Sequence, residues 1–286
     1  MLRSLVGEGP TRMVEGEAVG GSNGQVVFTW SEQGGWESAP ANVGREVPLV
    51  VYLDRVELAT LMCTPEKLNF LVVGFLRSEG VIDRLDDISL MRVCDDERVA
   101  DVRLVRPREL AGKRILTSGC GGGVTFDVGS SLVPVSSELR VSPSQLLACM
   151  KLMLRPLGGL AERCGLHVSA LSDGEELLVV SRDVGRHNTL DKIWGECLYR
   201  DIGTQGRILL TTGRLSSEMV AKAAKMGAPI VVSLNSPTDH AVRMAGELGI
   251  TAVGYARGSR LSVYSHPERL LQAVPSDDRG RAHSGI

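Results

Sequence analysis

No stretch of this chain is long enough and apolar enough to span a bilayer. Its start also lacks a basic segment followed by an apolar one, so neither a membrane anchor nor a secretory signal is expected. The expectation is a cytoplasmic protein. Charge of one sign is not in excess: 32 Lys and Arg stand against 34 Asp and Glu, a formal net charge of −2. That balance gives no reason to expect nucleic acid as a bulk electrostatic partner, and a polyanionic ligand would have to be met by arginines placed locally. The chain has no Cys-x-x-Cys for structural zinc, no His-Glu-x-x-His helix, and no Gly-x-x-x-x-Gly-Lys-Ser/Thr loop for a nucleoside triphosphatase. Its six cysteines, Cys63, Cys94, Cys120, Cys149, Cys164 and Cys197, are scattered through a chain too long for a disulfide-stapled miniprotein, and they are expected to be reduced.

The residues present, 43% hydrophobic and 23% charged over 286 positions, suit a globular protein with room for two domains. Residues 1–25 are glycine-rich without apolar periodicity and read as a tail. Gln25 to Trp30 reads as a short strand. Residues 47–53 and 56–62 read as a hairpin turning at Asp54-Arg55, which are not the favoured turn pair. Thr64-Pro65 reads as a helix cap and first position, followed by Leu68, Leu71, Val72, Phe75 and Leu76 on one face and Gly80 as the stop. Two alternating strands over 88–105 close a small α+β domain, 26–135, from which Arg114 to Thr117 leads into a glycine loop.

Ser142-Pro-Ser-Gln145 opens the next helix with cap, proline and a glutamine that can reach back. Cys149 lies beside that helix's buried stripe and reads as packing. From Arg207 the pattern alternates: strand 208–212, helix 216–226, strand 229–234, helix 238–248, strand 250–255, then a further strand over 260–266 and a last helix over 267–274. Strands separated by helices at this spacing predict parallel pairing with crossover helices, hence an α/β domain over 136–274 and a polar tail over 275–286.

The thiol with the strongest chemical context is Cys120, in Leu116-Thr-Ser-Gly-Cys-Gly-Gly-Gly-Val124. Flanking glycines uncover backbone N–H groups that can stabilise a thiolate, which is the reactive form. A turn with an inert cysteine is the plain alternative. Phe126, six residues on, excludes a phosphatase-like loop with arginine at that spacing. Ligands of open parallel sheets bind beyond the carboxyl ends of the strands. That rule selects Thr212-Gly-Arg214, Ser233 to Ser236, and Arg257-Gly-Ser-Arg260, where arginine beside glycine suits a phosphorylated nucleotide. Solvated surface arginine is the competing reading. Asp183-Val-Gly-Arg-His-Asn-Thr-Leu-Asp-Lys192 is the densest polar stretch: Arg186 for an anion, His187 for a proton or phosphate, Asp183 to orient either. Equally, Asp183 and Asp191 could only pair with Arg186 and Lys192 at a helix start. His167 reads as a satisfied core histidine.

These motifs resemble those of the formate dehydrogenase accessory sulfurtransferases, from about Arg45 to about Arg269. The resemblance is carried by Glu46-Val-Pro-Leu-Val, Thr64-Pro-Glu-Lys-Leu, Gly74-Phe-Leu-Arg-Ser-Glu-Gly80, Asp183-Val-Gly-Arg-His-Asn with Asp191-Lys192, and Gly254-Tyr-Ala-Arg-Gly-Ser-Arg260. It implies a cytidine-deaminase-like C-terminal domain, a homodimer, and Cys120 as the residue that carries sulfur as a persulfide. The sulfur would come from a cysteine desulfurase and pass to the molybdenum cofactor in its bis(molybdopterin guanine dinucleotide) form before that cofactor enters formate dehydrogenase. Tyr255, Ala256, Arg257, Gly258, Ser259 and Arg260 match the segment that holds the cofactor, and Arg214 joins them from the strand-end argument. The chain departs from many relatives in having Gly123 where a second loop cysteine stands, so release of sulfur through a disulfide is not available. The deaminase zinc signature is also absent, so no metal site is expected. A non-covalent chaperone of the guanylated cofactor is the alternative reading.

Overall fold

The computed structural model describes residues 25–94, 96, 98–107, 132–155 and 164–271, and the backbone of 114–116 and 124–126. Of the tail read over 1–25 all but Gln25 lies outside these residues, as do the tail read over 275–286 and Cys120. The first element is a hairpin, β1 (Val26–Ser31) against β2 (Gly35–Pro40), which among the described residues forms a sheet of its own and exposes Phe28, Trp30 and Trp36. Next come β3 (Val47–Leu53) and β4 (Val56–Cys63), whose turn residues Asp54 and Arg55 both take positive φ, 48° and 74°. Asp54 compensates by accepting a hydrogen bond from the Leu104 N–H at 3.0 Å.

Helix α1 (Leu68–Ser78) begins later than Thr64-Pro65 suggests, with Lys67 at its N-cap in the left-handed region. The reason is tertiary. Thr64 donates its N–H to Asp183 at 3.0 Å and accepts from the Val184 N–H at 3.1 Å, so neither group caps a helix. Strands β5 (Ile88–Cys94) and β6 (Val99–Leu104) complete a four-stranded sheet in the order β4-β3-β6-β5. The apolar face of α1 packs into this sheet's core, which Tyr199 enters from much later in the chain. The backbone of β7 (Arg114–Leu116) pairs antiparallel with β8 (Val124–Phe126), Leu116 opposite Val124.

Helix α2 (Pro143–Leu154) starts on the reciprocal Ser142 and Gln145 bonds expected from sequence. A hairpin of β9 (His167–Ser172) and β10 (Leu177–Asp183) leads into α3 (Arg186–Arg200), which continues well past Lys192, the end of the polar stretch. Then β11 (Ile208–Thr211), α4 (Ser217–Lys225), β12 (Ile230–Ser233), α5 (Asp239–Glu247), β13 (Thr251–Arg257) and β14 (Arg260–Val263) follow in the alternation the sequence predicts. The sheet order is β10-β9-β11-β12-β13-β14, with β11, β12 and β13 parallel and the outer pairings antiparallel. The parallel strands are buried on both faces. Leu209, Val231 and Ala252 face α3, α4 and α5, while Ile208, Leu210, Ile230 and Val232 face α2.

The last predicted helix is corrected. A single 3-10 turn, Pro267–Arg269, ends at Leu270, whose neighbours pair with Val141: Val141 N–H donates to Arg269 and Leu271 N–H to Val141. That bridge uses the backbone groups a helix would need. Among the described residues, no helix is long and apolar enough to cross a membrane.

Candidate functional site

The parallel trio puts the carboxyl ends of β11, β12 and β13 on one edge. Antiparallel pairing of β9 with both neighbours brings His167 and Asp183 to the same edge, because His167 lies opposite Asp183 and Ser169 opposite Thr211. Helices α3, α4 and α5 follow β10, β11 and β12, so their N-termini open there too, each a donor-rich, partly positive end.

The segments at this edge are tied to one another by backbone and side-chain hydrogen bonds. Thr212 N–H donates to Val168 (2.9 Å), Ser233 Oγ donates to the Gly213 carbonyl (2.6 Å), and Asn235 Nδ2 to the Thr212 carbonyl (2.7 Å). Arg257 donates from Nε to the Leu234 carbonyl (2.8 Å) and from Nη2 to Asn235 Oδ1 (3.2 Å). Its guanidinium therefore fastens the end of β13 to the β12 loop. Tyr255 sits half-exposed with φ 51°, a conformation rare for a bulky side chain and concentrated at ligand-gripping segments. Gly258, φ 58°, makes the turn back to Arg260, which lies opposite Arg257. Ala256 is buried, and with Leu147, Met150, Leu154 and Leu234 it lines a cavity of about 170 Å³ rimmed by Lys151 and Arg257. Ser259, Arg260 and Arg214 are exposed on the same edge.

The Asp183 to Lys192 stretch divides. Asp183 is fully buried, 2.6 Å from the equally buried Lys192 Nζ, and accepts from Thr64 N, Gly185 N and Asn188 Nδ2. Lys192 also donates to the Thr64 and Arg182 carbonyls, at 3.0 and 3.2 Å. Asp191 pairs with Lys222 at 2.5 Å. These two carboxylates are structural, as the plainer reading of the sequence has it. Arg186 is not their partner. His187 Nε2 lies 2.9 Å from Glu218 Oε2 on the first turn of α4. Sequence reasoning missed Glu218 and Ser216, since nothing in a helix's first turn distinguishes a surface acid from one turned onto the preceding helix.

His167 is half-buried at this edge and not in the core. Burial, then the positive charge of Arg186, His187 and Arg214, hold its pKa below the usual 6.5, against the pull of Asp183. A histidine whose folded pKa is depressed adds no penalty above the unfolded pKa and destabilises the fold progressively as pH falls below it. The melting temperature is thus expected to fall between about pH 6.5 and pH 5, and less steeply in His167→Gln. Thermal melts across that range check this, and an unchanged slope in the variant would contradict it.

Cys120 lies outside the described residues, in the segment between β7 and β8. The described thiols are poorly placed for chemistry: Cys63, Cys149, Cys164 and Cys197 are buried and Cys94 is half-buried. Burial, reinforced by neighbouring carboxylates, pushes Cys63 and Cys197 up to about 12, leaving almost no thiolate at neutral pH. Cys149 Sγ packs 3.5 Å from Ser172 Oγ.

Fold and edge together define a mixed α/β protein whose candidate site lies where three parallel strands end and three helices begin. Comparison with known proteins places it more narrowly. The FdhD/NarQ family model matches residues 44–271, and the chain belongs to that family. It is 40% identical over 249 residues to the sulfur carrier protein FdhD of Bacillus subtilis, covering 84% of this chain and 95% of that one. It is 37% identical over 232 residues to the protein of the same name from Staphylococcus haemolyticus, covering 79% and 88%. A solved structure from Desulfotalea psychrophila, described as that of a formate dehydrogenase accessory protein, superposes with a TM-score of 0.72 at 27% identity, covering 86% of this chain and 98% of that one.

Proposed function

We propose that the chain is a sulfur carrier serving formate dehydrogenase, and that Cys120 carries the sulfur as a persulfide. The observation that carries this reading is the match to proteins named as sulfur carriers over nearly their whole length, in a chain that sets one cysteine among glycines at 119–123. The inertness of the buried thiols supports the choice of Cys120. In the first step the Cys120 thiolate attacks the terminal sulfur of a cysteine desulfurase persulfide. A new S–S bond forms, the donor's S–S bond breaks, and the desulfurase leaves as thiolate. The acceptor is the molybdenum cofactor in its bis(molybdopterin guanine dinucleotide) form, gripped at the strand-end edge by Tyr255 to Arg260 with Arg214. Tyr255's left-handed backbone and the Arg257 brace are what one expects of a loop held ready for a ligand. Handing the sulfur over as sulfide takes two electrons. With Gly123 in the loop, these come from an external thiol reductant, which is left as a disulfide while Cys120 returns to thiolate.

The arrangement of helices on the six-stranded sheet fits the cytidine-deaminase-like architecture that the family resemblance implies, and the working state would be a cytoplasmic homodimer, each chain divided into a small domain over 26–135 and a large one over 136–274. In cells lacking the native protein, the chain is expected to restore formate dehydrogenase activity and Cys120→Ala to leave it at background, with both proteins equally abundant. Full restoration by Cys120→Ala would instead fit a non-covalent cofactor chaperone, which needs the Tyr255 to Arg260 loop but not the thiol.

A further inference from the structure

The ribbon of β1 and β2 turns an apolar face to solvent. Its antiparallel register sets Phe28 across from Ser38 and Trp30 across from Trp36, so Val26, Phe28, Trp30 and Trp36 stand on the same side, each more than half exposed. None of them enters any of the three hydrophobic cores. A two-stranded ribbon alone in water is marginal, and clustered exposed aromatics mark a surface that meets another molecule. The family model matches from residue 44, so the ribbon lies outside it. The ribbon is also held in place. Ala41 N–H donates to the Gln25 carbonyl at its base, and Gly44 N–H donates to the Cys164 carbonyl at 2.8 Å. A Cβ on Gly44 would stand 2.7 Å from that oxygen, so the link to β3 is seated against residues 164–166 and the ribbon projects from there.

A surface suited to receive it lies on the four-stranded sheet. Helix α1 packs on one face of that sheet. On the other, Val50 stands beside Val99 and Tyr52 beside Asp101, none of the four buried. Arg92 lies across from Asp101, and Arg103 grips the Asp101 carboxylate with two hydrogen bonds, at 3.2 and 3.0 Å. That grip, and then the charges of Arg103, Arg55 and Arg92, hold Asp101 below the usual carboxylate range. With Glu57 opposite Tyr52, three arginines stand against two acids around an apolar centre. Residues 25–40 carry Glu32 and Glu37 and no cation. An acidic apolar ribbon and an arginine-rimmed apolar face are complementary.

We propose that the ribbon of one chain docks on the open face of the four-stranded sheet in a second copy, reciprocally about a two-fold axis. Area favours a second copy over an unrelated partner. Three aromatics at this exposure offer on the order of 400 Å², about half of what each partner gives to a stable interface. A two-fold axis makes the contact twice, each chain giving both its ribbon and its face, and so reaches about 800 Å² a side. The inference rests on the homodimer read above, names its surface, and does not depend on Cys120.

Sedimentation equilibrium of the full chain across micromolar concentrations tests it. The parent is expected to be a dimer. Trp30→Ser combined with Trp36→Ser is expected to weaken the dimer roughly tenfold or more, since aromatic anchors dominate interface energetics. Tyr52→Glu, which sets a carboxylate against the acidic ribbon, is expected to weaken it to a similar degree. A monomeric parent would overturn both the homodimer and this surface. A dimer that tolerates the tryptophan replacements would overturn the ribbon contact and leave the homodimer on another face. A dimer lost with the tryptophan replacements but kept in Tyr52→Glu would overturn the sheet face as receiver and point to ribbon-on-ribbon pairing. Should the variants fail to fold, hydrogen exchange on the parent decides: the amides of 26–40 are expected to exchange faster as dilution separates the chains, and rates independent of concentration would contradict the docking.

Discussion

Replacing Lys192 with methionine is expected to destabilise the protein by about 3–5 kcal/mol, the cost of leaving one half of a buried ion pair behind. Methionine fills much of the same volume, so the loss is electrostatic. The Asp183 carboxylate, with no solvent exposure, keeps its three N–H donors but loses the Lys192 countercharge, and the Thr64 and Arg182 carbonyls lose a donor. Those groups belong to the end of β4, the end of β10 and the start of α3, so the pair clamps the first sheet onto the strand-end site. Taking roughly 2–4 °C per kcal/mol for a chain of this size, the melting temperature should drop by about 6–20 °C. Asp183→Asn added to Lys192→Met removes the stranded charge and should recover part of the loss, whereas independent sites would add. A melting point within about 2 °C of the parent would mean the pair is not the clamp described.

Gly195→Ala is expected to be as damaging, although helix propensity argues the other way. Alanine in mid-helix is worth up to about 1 kcal/mol over glycine. Here α1 and α3 cross backbone to backbone: a Cβ on Gly195 would stand 1.9 Å from the Phe70 carbonyl oxygen, and one on Gly74 would stand 1.7 Å from that of Asp191. No rotamer relieves a contact with main chain, so the helices must part. That opens the packing of Phe70 on Tyr199 (5.3 Å between rings) and of Arg77 over Trp194 (5.0 Å). Overpacking of this kind costs typically 1–3 kcal/mol and more where nothing can yield, so a net loss of about 3 kcal/mol is expected. A thermal melt of Gly195→Ala reads it directly, and an unchanged or raised melting temperature would show that the helices can separate freely.

Much of the second half was legible in the sequence because its signals are local. Short buried strands alternate with capped helices, and Ser142 caps as its position suggests; before α5, Ser236-Pro-Thr-Asp239 reads with Ser236 as the cap, whereas Thr238 takes that place. The parallel trio and the edge it creates follow from that alternation. What was not legible depends on partners distant in the chain. Thr64-Pro65 carries a cap's residue types, yet Thr64 is occupied by Asp183 and Val184, more than a hundred residues on. Gly74 and Gly195 look like weak points of their helices until the crossing shows both are required. The role of Arg186 was open for the same reason. Residue types at 183–192 allow a ligand site and an ion-pair network equally, and the structure contains the network with Arg186 left out of it.

The central claim is that sulfur rides on one thiol. The full chain is incubated with a cysteine desulfurase and cysteine, and its intact mass is taken without reductant. The account predicts a gain of one sulfur atom, located by proteolysis on the peptide that contains Cys120 and absent from Cys120→Ala. No gain, or a gain that survives in Cys120→Ala, would contradict it.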